Sequence, residues 1–324
     1  MIEKQAILAR PFVKWAGGKK QLLPQLVSCL PECLYSDEFN YIEPFVGGGA
    51  MLFFMLQKFP NIKTVIINDA NPTLIDTYRF IKASPEKLIE LLRSYHHEYL
   101  SLQSQQAKTD FYLRERERYN SGNAGNLEKS ALFILLNRTC FNGLYRENLR
   151  GKFNVPAGKY VNPIICDEDL IYADSELLNR FDVKITCGSY QIVSNIVDFS
   201  KTNFFYFDPP YRPLNTTSNF NTYTKDAFND ASQIALSLYC RALSANDGCY
   251  WMLSNSDCSA ANPSDTFFEN IYSGFNIQRV VASRMINSVA SKRGAVTELL
   301  ITNYAPNEKS MRATGTYNNI TQAI

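Results

Sequence analysis

Apolar and polar residues follow two alternating patterns in the first quarter of the chain. The apolar run YIEPF (41–45) predicts a short buried strand, and VGGGAMLFFMLQ (46–57) places three glycines before a helical run. TVIINDAN (64–71) is rich in β-branched residues and ends in a polar turn. A strand, a glycine turn, a helix and a second strand are typical of the start of a doubly wound α/β sheet.

The pattern changes between about residues 72 and 140. Long amphipathic and polar stretches there, such as SPEKLIELLRSYHHEYL (84–100), predict a mostly helical segment with a flexible break at 120–126. Strand-like runs resume at 181–190, 204–211, 250–257 and 296–304. We therefore predict an α/β sheet interrupted by a helical insertion, with a polar C-terminal tail that is expected to be poorly ordered.

Length and composition narrow the class of protein. The 324 residues suggest one large domain or two unequal ones, and 45% hydrophobic and 20% charged residues are typical of an ordinary soluble protein. The N-terminus has no apolar core followed by a cleavage site, so no secretion signal is predicted and a location in the bacterial cytoplasm is expected. The eight cysteines form no CxxC pair, so we expect reduced thiols and no metal site.

The distribution of charge is more informative than its sum. A net charge of +2 is too small to indicate a nucleic-acid partner, but basic residues cluster in two places. Residues 138–160 contain one acid, and residues 276–297 contain none. Each cluster is compatible with a solvated surface, although two such patches also suggest sites for phosphates. The basic residues are Arg138, Arg146, Arg150, Lys152 and Lys159 in the first cluster and Arg279, Arg284, Lys292 and Arg293 in the second.

The glycine turn has the features of an adenosine site. Gly47, Gly48 and Gly49 allow a ligand to approach the backbone closely, and the following helix N-terminus favours polar or negative groups. Asp69 ends the second strand, where a carboxylate can accept hydrogen bonds from ribose hydroxyls. This spacing suits any adenosine cofactor, but the GxGxxG fingerprint of dinucleotide sites is absent.

The aromatic run FFYFDPPYRP (204–213) ends in an unusual turn. Pro209 and Pro210 stop the strand, so Asp208 to Tyr211 should form a stiff turn at its end. Such a turn can simply end the strand, with the Asp side chain as its cap. It can also hold the Asp208 carboxylate and the Pro209 carbonyl as preorganised acceptors for an exocyclic amine of a nucleobase, with Tyr211 stacking on the base. A base in a duplex would have to be flipped out to reach it.

The chain resembles the DNA adenine-N6 methyltransferases of the Dam and DpnII type, the α group of the D12 class, which act at GATC. The resemblance runs from about residue 11 to 304 and rests on six blocks in order: PFVKWAGGKKQLLP (11–24), EPFVGGG (43–49), ND (68–69), LNRTCFNGLYRENLRGKFNVPAGKY (136–160), DPPY (208–211) and TSNFNTY (217–223). It implies a Rossmann-like S-adenosylmethionine-dependent methyltransferase sheet. Residues 1–75 and 161–304 would form the catalytic domain, residues 76–160 a mostly helical target-recognition domain with a β-hairpin, and residues 305–324 a tail.

The resemblance also implies the roles of individual residues. The catalytic set is Asp208, Pro209, Pro210 and Tyr211. The S-adenosylmethionine site would comprise a loop folded over the cofactor, the glycine turn and the ends of the neighbouring strands: Trp15, Ala16, Gly17, Gly18, Lys19, Glu43, Pro44, Phe45, Gly47, Gly48, Gly49, Asp69, Ser189, Tyr190 and Asp208. No metal is implied.

The segment 136–160 resembles the GATC-reading hairpin of the family. Arg146 would contact a guanine through O6 and N7, and Lys14 would approach the other guanine. Phe141 would wedge into the space left by the flipped adenine. The implied DNA-binding set is Lys14, Arg138, Phe141, Asn142, Leu144, Arg146, Arg150, Pro156 and Tyr160, of which Leu144 and Pro156 would contact the central T and C, and Arg150, with Lys152 and Lys159, would serve phosphates.

Some features depart from the family pattern or leave alternatives open. Gly188 stands where relatives often carry an acid, so Ser189, Tyr190 or backbone would hold the cofactor's adenine instead. The segment SKRG (291–294) matches only loosely, and the last 20 residues have no counterpart. The expected partner is double-stranded DNA bound by a monomer, with a possible restriction endonuclease acting on the same site. An RNA amino-methyltransferase and a catalytically silent DNA-binding regulator remain alternatives.

Overall fold

The computed structural model describes residues 8–15, 17, 19, 21–214, 228–283 and 295–306. Within these residues, one sheet of seven strands forms the centre of the fold, in the order β3-β2-β1-β4-β5-β7-β6. In chain order the strands are β1 (Phe39–Glu43), β2 (Ile62–Asp69), β3 (Asp182–Cys187), β4 (Asn203–Phe207), β5 (Cys249–Ser256), β6 (Asn276–Ser283) and β7 (Ala295–Thr302).

The strand order creates a crevice at the middle of the sheet. Strands β1 to β5 run parallel, whereas β7 pairs antiparallel with both β5 and β6. The chain proceeds from β1 outward to β3 and then returns to β4 on the other side of β1. Ligands of such sheets bind beyond the carboxyl ends of the strands where the order reverses. The ends of β1 and β4 are therefore where a site is expected.

Helices surround the sheet and build the insertion. The N-terminal part carries α1 (Leu23–Ser28) and α2 (Ala50–Lys58). The next helix, α3 (Pro72–Ala83), is capped by Asn71, whose side chain accepts a hydrogen bond from the Leu74 amide at 3.0 Å. The other helices are α4 (Pro85–Ser101), α5 (Gln105–Asn120), α6 (Asn126–Thr139), α7 (Glu168–Arg180), α8 (Asp230–Leu243), α9 (Cys258–Ala261) and α10 (Phe267–Ile271).

The aromatic strand β4 explains how the two faces of the sheet are filled. Successive side chains of a strand point to opposite faces. Phe204 and Tyr206 accordingly join the core on one face, and Phe205 and Phe207 join the core on the other. A parallel strand that is covered on both sides reads as a continuous apolar run rather than as an alternating one. This accounts for the run that precedes the DPPY turn.

The helical insertion shares a core with one face of the sheet. The cluster that contains Phe204 and Tyr206 continues through Leu88, Phe133 and Phe153. The boundary predicted after residue 75 falls inside α3, which contacts β2 and β3 on one side and α6 on the other. The insertion is thus packed rigidly against the sheet rather than joined to it by a linker.

The strand predictions are confirmed, with one omission. β1, β2, β3, β4, β5 and β7 all overlap the predicted runs; β3 lies within its run, and the other five begin one or two residues earlier than predicted. The sheet with its helices confirms the predicted α/β class. The sequence interpretation missed β6, whose stretch NIQRVVAS was treated only as part of a basic patch. An edge strand has only one neighbour to bury it, so its apolar pattern is weaker than that of the central strands.

The state of the cysteines, the membrane-spanning potential of the helices and the presence of metal sites complete the description of the fold. The eight cysteines are all free thiols. In the described part of the chain, no helix is long and apolar enough to cross a membrane. Among the same residues, no group of three histidine, cysteine or acidic side chains is arranged to hold a metal ion.

Candidate active site and nucleic-acid interface

The glycine turn follows β1 and faces the end of β2. The amide of Gly47 donates to Asp69 Oδ2 at 3.0 Å, and its carbonyl accepts from the Tyr78 hydroxyl at 3.0 Å. Gly47 and Gly49 have φ angles of 48° and 77°, which residues with side chains rarely adopt, and Gly49 caps the start of α2. The turn therefore presents its backbone at the carboxyl edge of the sheet.

Trp15 covers this turn. A β-carbon added at Gly47 would lie 2.8 Å from two atoms of the Trp15 indole, and one at Gly48 would lie 3.0 Å from the Trp15 Cβ. Only glycine lets the indole come this close. Through Trp15 the N-terminal loop therefore lies against the glycine turn, and Gly17 in the same loop is exposed. Ala16 and Gly18 lie outside the described residues.

Two acidic side chains stand at the carboxyl ends of β1 and β2. Asp69 accepts from the amides of Gly47 and Asn71, the latter at 2.9 Å; burial raises the pKa of Asp69, and these hydrogen bonds oppose the rise. Glu43 is fully buried and accepts from the Tyr41 hydroxyl at 2.6 Å. Burial raises the pKa of Glu43 well above its usual range. A carboxylate has about four acceptor sites, and the backbone amides of Gly47, Ala70 and Asn71 occupy three of them in Asp69, so the group can still accept from a ribose hydroxyl.

The ends of β1 and β3 are tied together by one amide side chain. Asn68 Nδ2 donates to the carbonyls of Pro44 and Gly188, both at 3.0 Å, and the Gly188 amide donates to the Asp69 carbonyl at 3.1 Å. Gly188 has a φ of 144°, and a β-carbon added there would meet nothing within 4 Å. The Gly188 position, where the family resemblance implies that relatives often carry an acid, therefore borders open space.

An aromatic platform lies next to this space. The Phe45 and Tyr190 rings stack with centroids 5.4 Å apart, and Phe228 meets Phe45 edge-on at 5.8 Å. Ser189 precedes Tyr190 and is exposed. The predicted residues from the ends of β1, β2 and β3 thus converge on one crevice, with polar acceptors on one side and apolar rings on the other. This combination fits an adenosine moiety.

Asp208 directly follows β4, and one of its two carboxylate oxygens accepts hydrogen bonds from neighbouring side chains. Oδ1 accepts from Ser254 Oγ at 3.1 Å and from Lys19 Nζ at 2.9 Å. No described residue donates to Oδ2. Burial raises the pKa of Asp208, and the Lys19 ammonium opposes this rise. The family resemblance implied that Lys19 belongs to the cofactor site, whereas the structure places its ammonium against the Asp208 carboxylate.

The rest of the DPPY turn is held by side chains that the sequence analysis missed. Gln233 Nε2 donates to the Pro210 carbonyl at 3.0 Å, and Gln233 Oε1 accepts from Asn255 Nδ2 at 3.1 Å. Asn255 and Ser256 bind the amide and the carbonyl of Arg212, at 3.2 and 2.6 Å. The polar end of the run YWMLSNSD was an available signal, because the carboxyl ends of β4 and β5 lie side by side. Among the described residues, none donates to the Pro209 carbonyl.

Tyr211 is fixed beside Asp208. Its hydroxyl donates to Glu298 Oε2 at 2.5 Å, and Lys19 Nζ lies 4.3 Å from the centre of its ring. Burial raises the pKa of Tyr211 well above its usual range, and the charges of Asp208 and Glu298 add to the rise. Tyr211 is therefore neutral at physiological pH. Glu298, on β7, was absent from the predicted site.

Residues 140–157, which we call the arm, form the predicted hairpin. Antiparallel bridges pair Cys140 with Ala157 and Glu147 with Phe153, so the pairing is interrupted rather than continuous. The arm is anchored on α5, because the Asn120 side chain binds both the amide and the carbonyl of Phe153 at 2.8 and 2.9 Å. The exposed members of the predicted DNA-binding set on the arm are Phe141, Asn142, Leu144, Arg146, Arg150 and Pro156.

Lys14 and Tyr160 join the arm to the N-terminal loop. The Asn137 side chain binds both the amide and the carbonyl of Lys14 at 2.8 Å and also donates to the Gly143 carbonyl at 3.0 Å. Lys14 Nζ lies 3.5 Å from the Tyr160 hydroxyl. A β-carbon at Gly143 would lie 2.3 Å from Lys14 Cδ, so the lysine stem passes directly over the arm. Asn142, with a φ of 56°, makes the tight turn that permits this.

Arg146 is held by one nitrogen only. Its Nε donates to Asn154 Oδ1 at 2.8 Å, and the two terminal nitrogens make no hydrogen bond with a described residue. The guanidinium is therefore oriented by its neighbour across the hairpin and presents its remaining donors outward. This is the geometry needed for a bidentate contact.

Two basic residues have internal roles that the sequence analysis did not predict. Arg138 Nη2 donates to the Phe12 carbonyl at 2.7 Å, and burial lowers the pKa of this guanidinium. Its side chain lies under the N-terminal loop instead of on the arm surface, which argues against its predicted DNA contact. Arg279 pairs with Asp257 at 3.0 Å and Glu269 at 2.7 Å, so it is not available for phosphate. Outside the described residues lie TSNFNTY (217–223), Arg284, Lys292 and Arg293.

Comparisons with known proteins identify relatives across this whole arrangement. The sequence model of the D12 class N6 adenine-specific DNA methyltransferases matches residues 15–286. The type II methyltransferase M.MjaIII of Methanocaldococcus jannaschii is 47% identical over 299 residues, which cover 91% of this chain and 99% of the relative. The type II methyltransferase M1.LlaDCHI of Lactococcus lactis is 37% identical, over 94% of this chain and 99% of the relative. A DNA adenine methylase of Haemophilus influenzae is 31% identical, over 92% and 94%.

Proposed function

The chain belongs to the D12 class of N6 adenine-specific DNA methyltransferases, and from this premise we propose that it methylates the adenine of GATC in duplex DNA. The methyl donor is S-adenosylmethionine, and the adenine is flipped out of the helix into the crevice between β1 and β4. The observation that carries the proposal is the Asp208 carboxylate, whose Oδ1 is tied by Lys19 and Ser254 while Oδ2 is free of described donors beside the glycine turn. The RNA alternative finds no support in a family specific for adenine in DNA.

The catalytic turn, DPPY (208–211), would activate the exocyclic amine of adenine as a nucleophile. An exocyclic amine is a poor nucleophile because its lone pair is delocalised into the purine ring. Asp208 Oδ2 and the Pro209 carbonyl accept one amine hydrogen each as the nitrogen becomes tetrahedral, which localises the lone pair. The rigid framework of Gln233 and Asn255 keeps the turn in place, so little reorganisation is needed at the moment of reaction.

The cofactor, when bound, supplies a methyl group on a positively charged sulfur. Asp69 would hold its ribose hydroxyls, and its adenine would lie against the platform formed by Phe45 and Tyr190. Tyr211 would stack on the flipped base and set its plane relative to Asp208. The extra proton of the methylated amine can leave to solvent because that nitrogen is strongly acidic, so Asp208 need not act as a strong base.

The arm would read the DNA sequence. Arg146, oriented by Asn154, would contact the O6 and N7 of one guanine, and Lys14 would approach the outer guanine of the site. Phe141 is 52% exposed, as a wedge that replaces a flipped base must be. Leu144 and Pro156 would contact the central T and C, Asn142 and Tyr160 would shape the arm, and Arg150, Lys152 and Lys159 would contact phosphates.

The proposal extends to the protein's partners. We propose that it acts as a monomer on double-stranded DNA, since the crevice and the arm both belong to one chain. Two relatives carry type II names, and we propose that a restriction endonuclease with the same recognition sequence accompanies this enzyme. Co-expression of this protein with that endonuclease would test the pairing. Host DNA should be protected from cleavage only when this chain is active.

The decisive test uses two duplexes that differ only in GATC versus GTAC. Each is incubated with the protein and methyl-labelled S-adenosylmethionine, and the products are digested to nucleosides. Label in N6-methyladenine from the GATC duplex alone is expected. Label from both duplexes would contradict the proposed role of the arm in reading GATC. Label in an RNA pool, with none in either duplex, would contradict the proposal that duplex DNA is the substrate.

A further inference from the structure

Lys19 is a buried cation between two carboxylates. Its side chain is 4% exposed, and Nζ lies 2.9 Å from Asp208 Oδ1, 3.8 Å from Glu298 Oε2 and 3.0 Å from the Gly17 carbonyl. A buried ammonium is costly unless it is paired and hydrogen-bonded. Here the acceptors come from three separate parts of the chain, which fixes the position of the charge.

Tyr211 is held at two points by the same pair of residues. Glu298 accepts its hydroxyl hydrogen, and Lys19 covers one face of its ring. A cation over an aromatic face is an attractive contact, and it is stronger when water is excluded. Lys19 therefore occupies one face of the Tyr211 ring, and Glu298 fixes its hydroxyl end.

The sheet topology brings Glu298 to this place. In β7, Glu298 pairs with Ser256 of β5 and with Val280 of β6. Because β7 runs antiparallel to β5, its first half lies beside the carboxyl ends of the parallel strands. A residue 90 positions after Asp208 thereby reaches the catalytic turn.

We infer that Lys19 and Glu298 are positioning residues for methyl transfer, a role that rests on the proposed function. Lys19 occupies Oδ1 of Asp208, so that Oδ2 remains for the amine, and Glu298 orients the Tyr211 ring. Together the side chains of Lys19, Asp208 and Glu298 carry one positive and two negative charges. The substrate nitrogen gains positive charge as the new N–C bond forms, and the excess negative charge stabilises that change.

The two residues should act on Asp208 in opposite directions. The Lys19 ammonium lowers the pKa of Asp208, and the Glu298 carboxylate raises it. Removing Glu298's charge should therefore lower this pKa, and removing that of Lys19 should raise it. Among the described residues, the other ionisable groups that interact with Asp208 are Glu43, Tyr206 and Tyr211, and both variants leave them in place.

The experiment compares Glu298→Gln and Lys19→Met with Glu176→Gln, whose carboxylate lies on the surface of α7. Glutamine keeps an acceptor for the Tyr211 hydroxyl and removes only the charge. Single-turnover methylation of the GATC duplex is measured across pH at saturating cofactor and DNA. We expect each positioning variant to lose roughly 10- to 100-fold in rate. The acid limb should move to lower pH in Glu298→Gln and to higher pH in Lys19→Met, and the control should match the wild type.

A second readout does not depend on turnover. Carbon NMR of protein labelled at aspartate carboxyls, with Asp208 assigned by its loss in Asp208→Asn, follows the titration of this group without DNA. Shifts of opposite sign in the two variants support the inference even if the wild type methylates a different sequence. Shifts of the same sign, no shift, or wild-type rates in Glu298→Gln would overturn it, whereas an inactive wild type with the opposite shifts would count against the proposed function alone.

Discussion

The catalytic turn and the arm are built in contrasting ways. The turn is held by side chains from β5, α8 and β7, and its charged groups are paired: Lys19 is 4% exposed and Asp208 accepts two hydrogen bonds on one oxygen. The arm is held mainly through its backbone, and its predicted reading residues point outward, with Phe141 52% exposed. Chemistry at an amine needs fixed acceptors in a site that excludes water, whereas reading base edges needs donors that DNA can reach.

Trp15 joins the arm to a third region, the glycine turn. Its ring stacks on Tyr145 of the arm, with centroids 5.5 Å apart, and its indole also covers Gly47 of the glycine turn. Tyr145 directly precedes Arg146. We therefore expect that damage to the catalytic turn, to the arm and to the junction of the arm with the glycine turn can be told apart by what is lost: chemistry, sequence discrimination or cofactor binding.

The largest effect is expected in the turn. Asp208→Asn keeps the shape of the side chain but removes the charge that pairs with Lys19 and accepts the amine hydrogen. We expect at least about a 10³-fold loss of single-turnover rate, with DNA and cofactor binding largely retained. Asp198→Asn, an exposed residue on the approach to β4, is the matched control and should behave as the wild type. Near-normal turnover of Asp208→Asn would overturn the mechanism.

A smaller and more selective effect is expected in the arm. Arg146→Ala should cost on the order of 1–3 kcal/mol of binding to GATC and relax discrimination at one guanine. The measurement is binding and methylation across duplexes with each base pair of the site replaced in turn. Arg180→Ala, which loses a surface ion pair with Glu176, is the control. Equal weakening on every sequence would show that Arg146 contacts the DNA backbone and does not read a base.

The smallest of the three effects is expected at the junction. Gly47→Ala places a β-carbon 2.8 Å from the Trp15 ring at a φ of 48°. We expect a loss of about 1–2 kcal/mol in cofactor affinity, measured by calorimetry, because the turn and the indole must move apart. Gly122→Ala is the matched control: its φ is 77°, but its β-carbon meets nothing within 4 Å, so it should leave cofactor affinity intact. Equal losses in both variants would assign the effect to backbone strain alone.

Several features of the site were within reach of the sequence. The glycines at 47–49, Asp69 and the DPPY turn each stand at the end of a strand-like run, and parallel strands place their carboxyl ends at one edge of a sheet. The arm was predicted from resemblance and is present as an interrupted hairpin. These are local patterns, so spacing and residue type are enough to locate them along the chain.

Other features were out of reach because they depend on which distant segments become neighbours. Arg138 looked like part of a basic patch, yet it lies under the N-terminal loop and binds the Phe12 carbonyl. Arg279 looked like a phosphate contact, yet Asp257 and Glu269 neutralise it. The composition of a stretch counts its charges, but only packing decides which of them remain available.

By itself, the sequence determined that a doubly wound sheet would present a glycine turn, an acidic strand end and a DPPY turn at one edge. The alternation of apolar and polar residues and the restricted backbone of glycine and proline are properties of the chain itself. Only the tertiary structure decided that Glu298 and Lys19 meet at Asp208. Their contact follows from the antiparallel register of β7 and the path of the N-terminal loop, and no local pattern encodes the distance between residues so far apart in sequence.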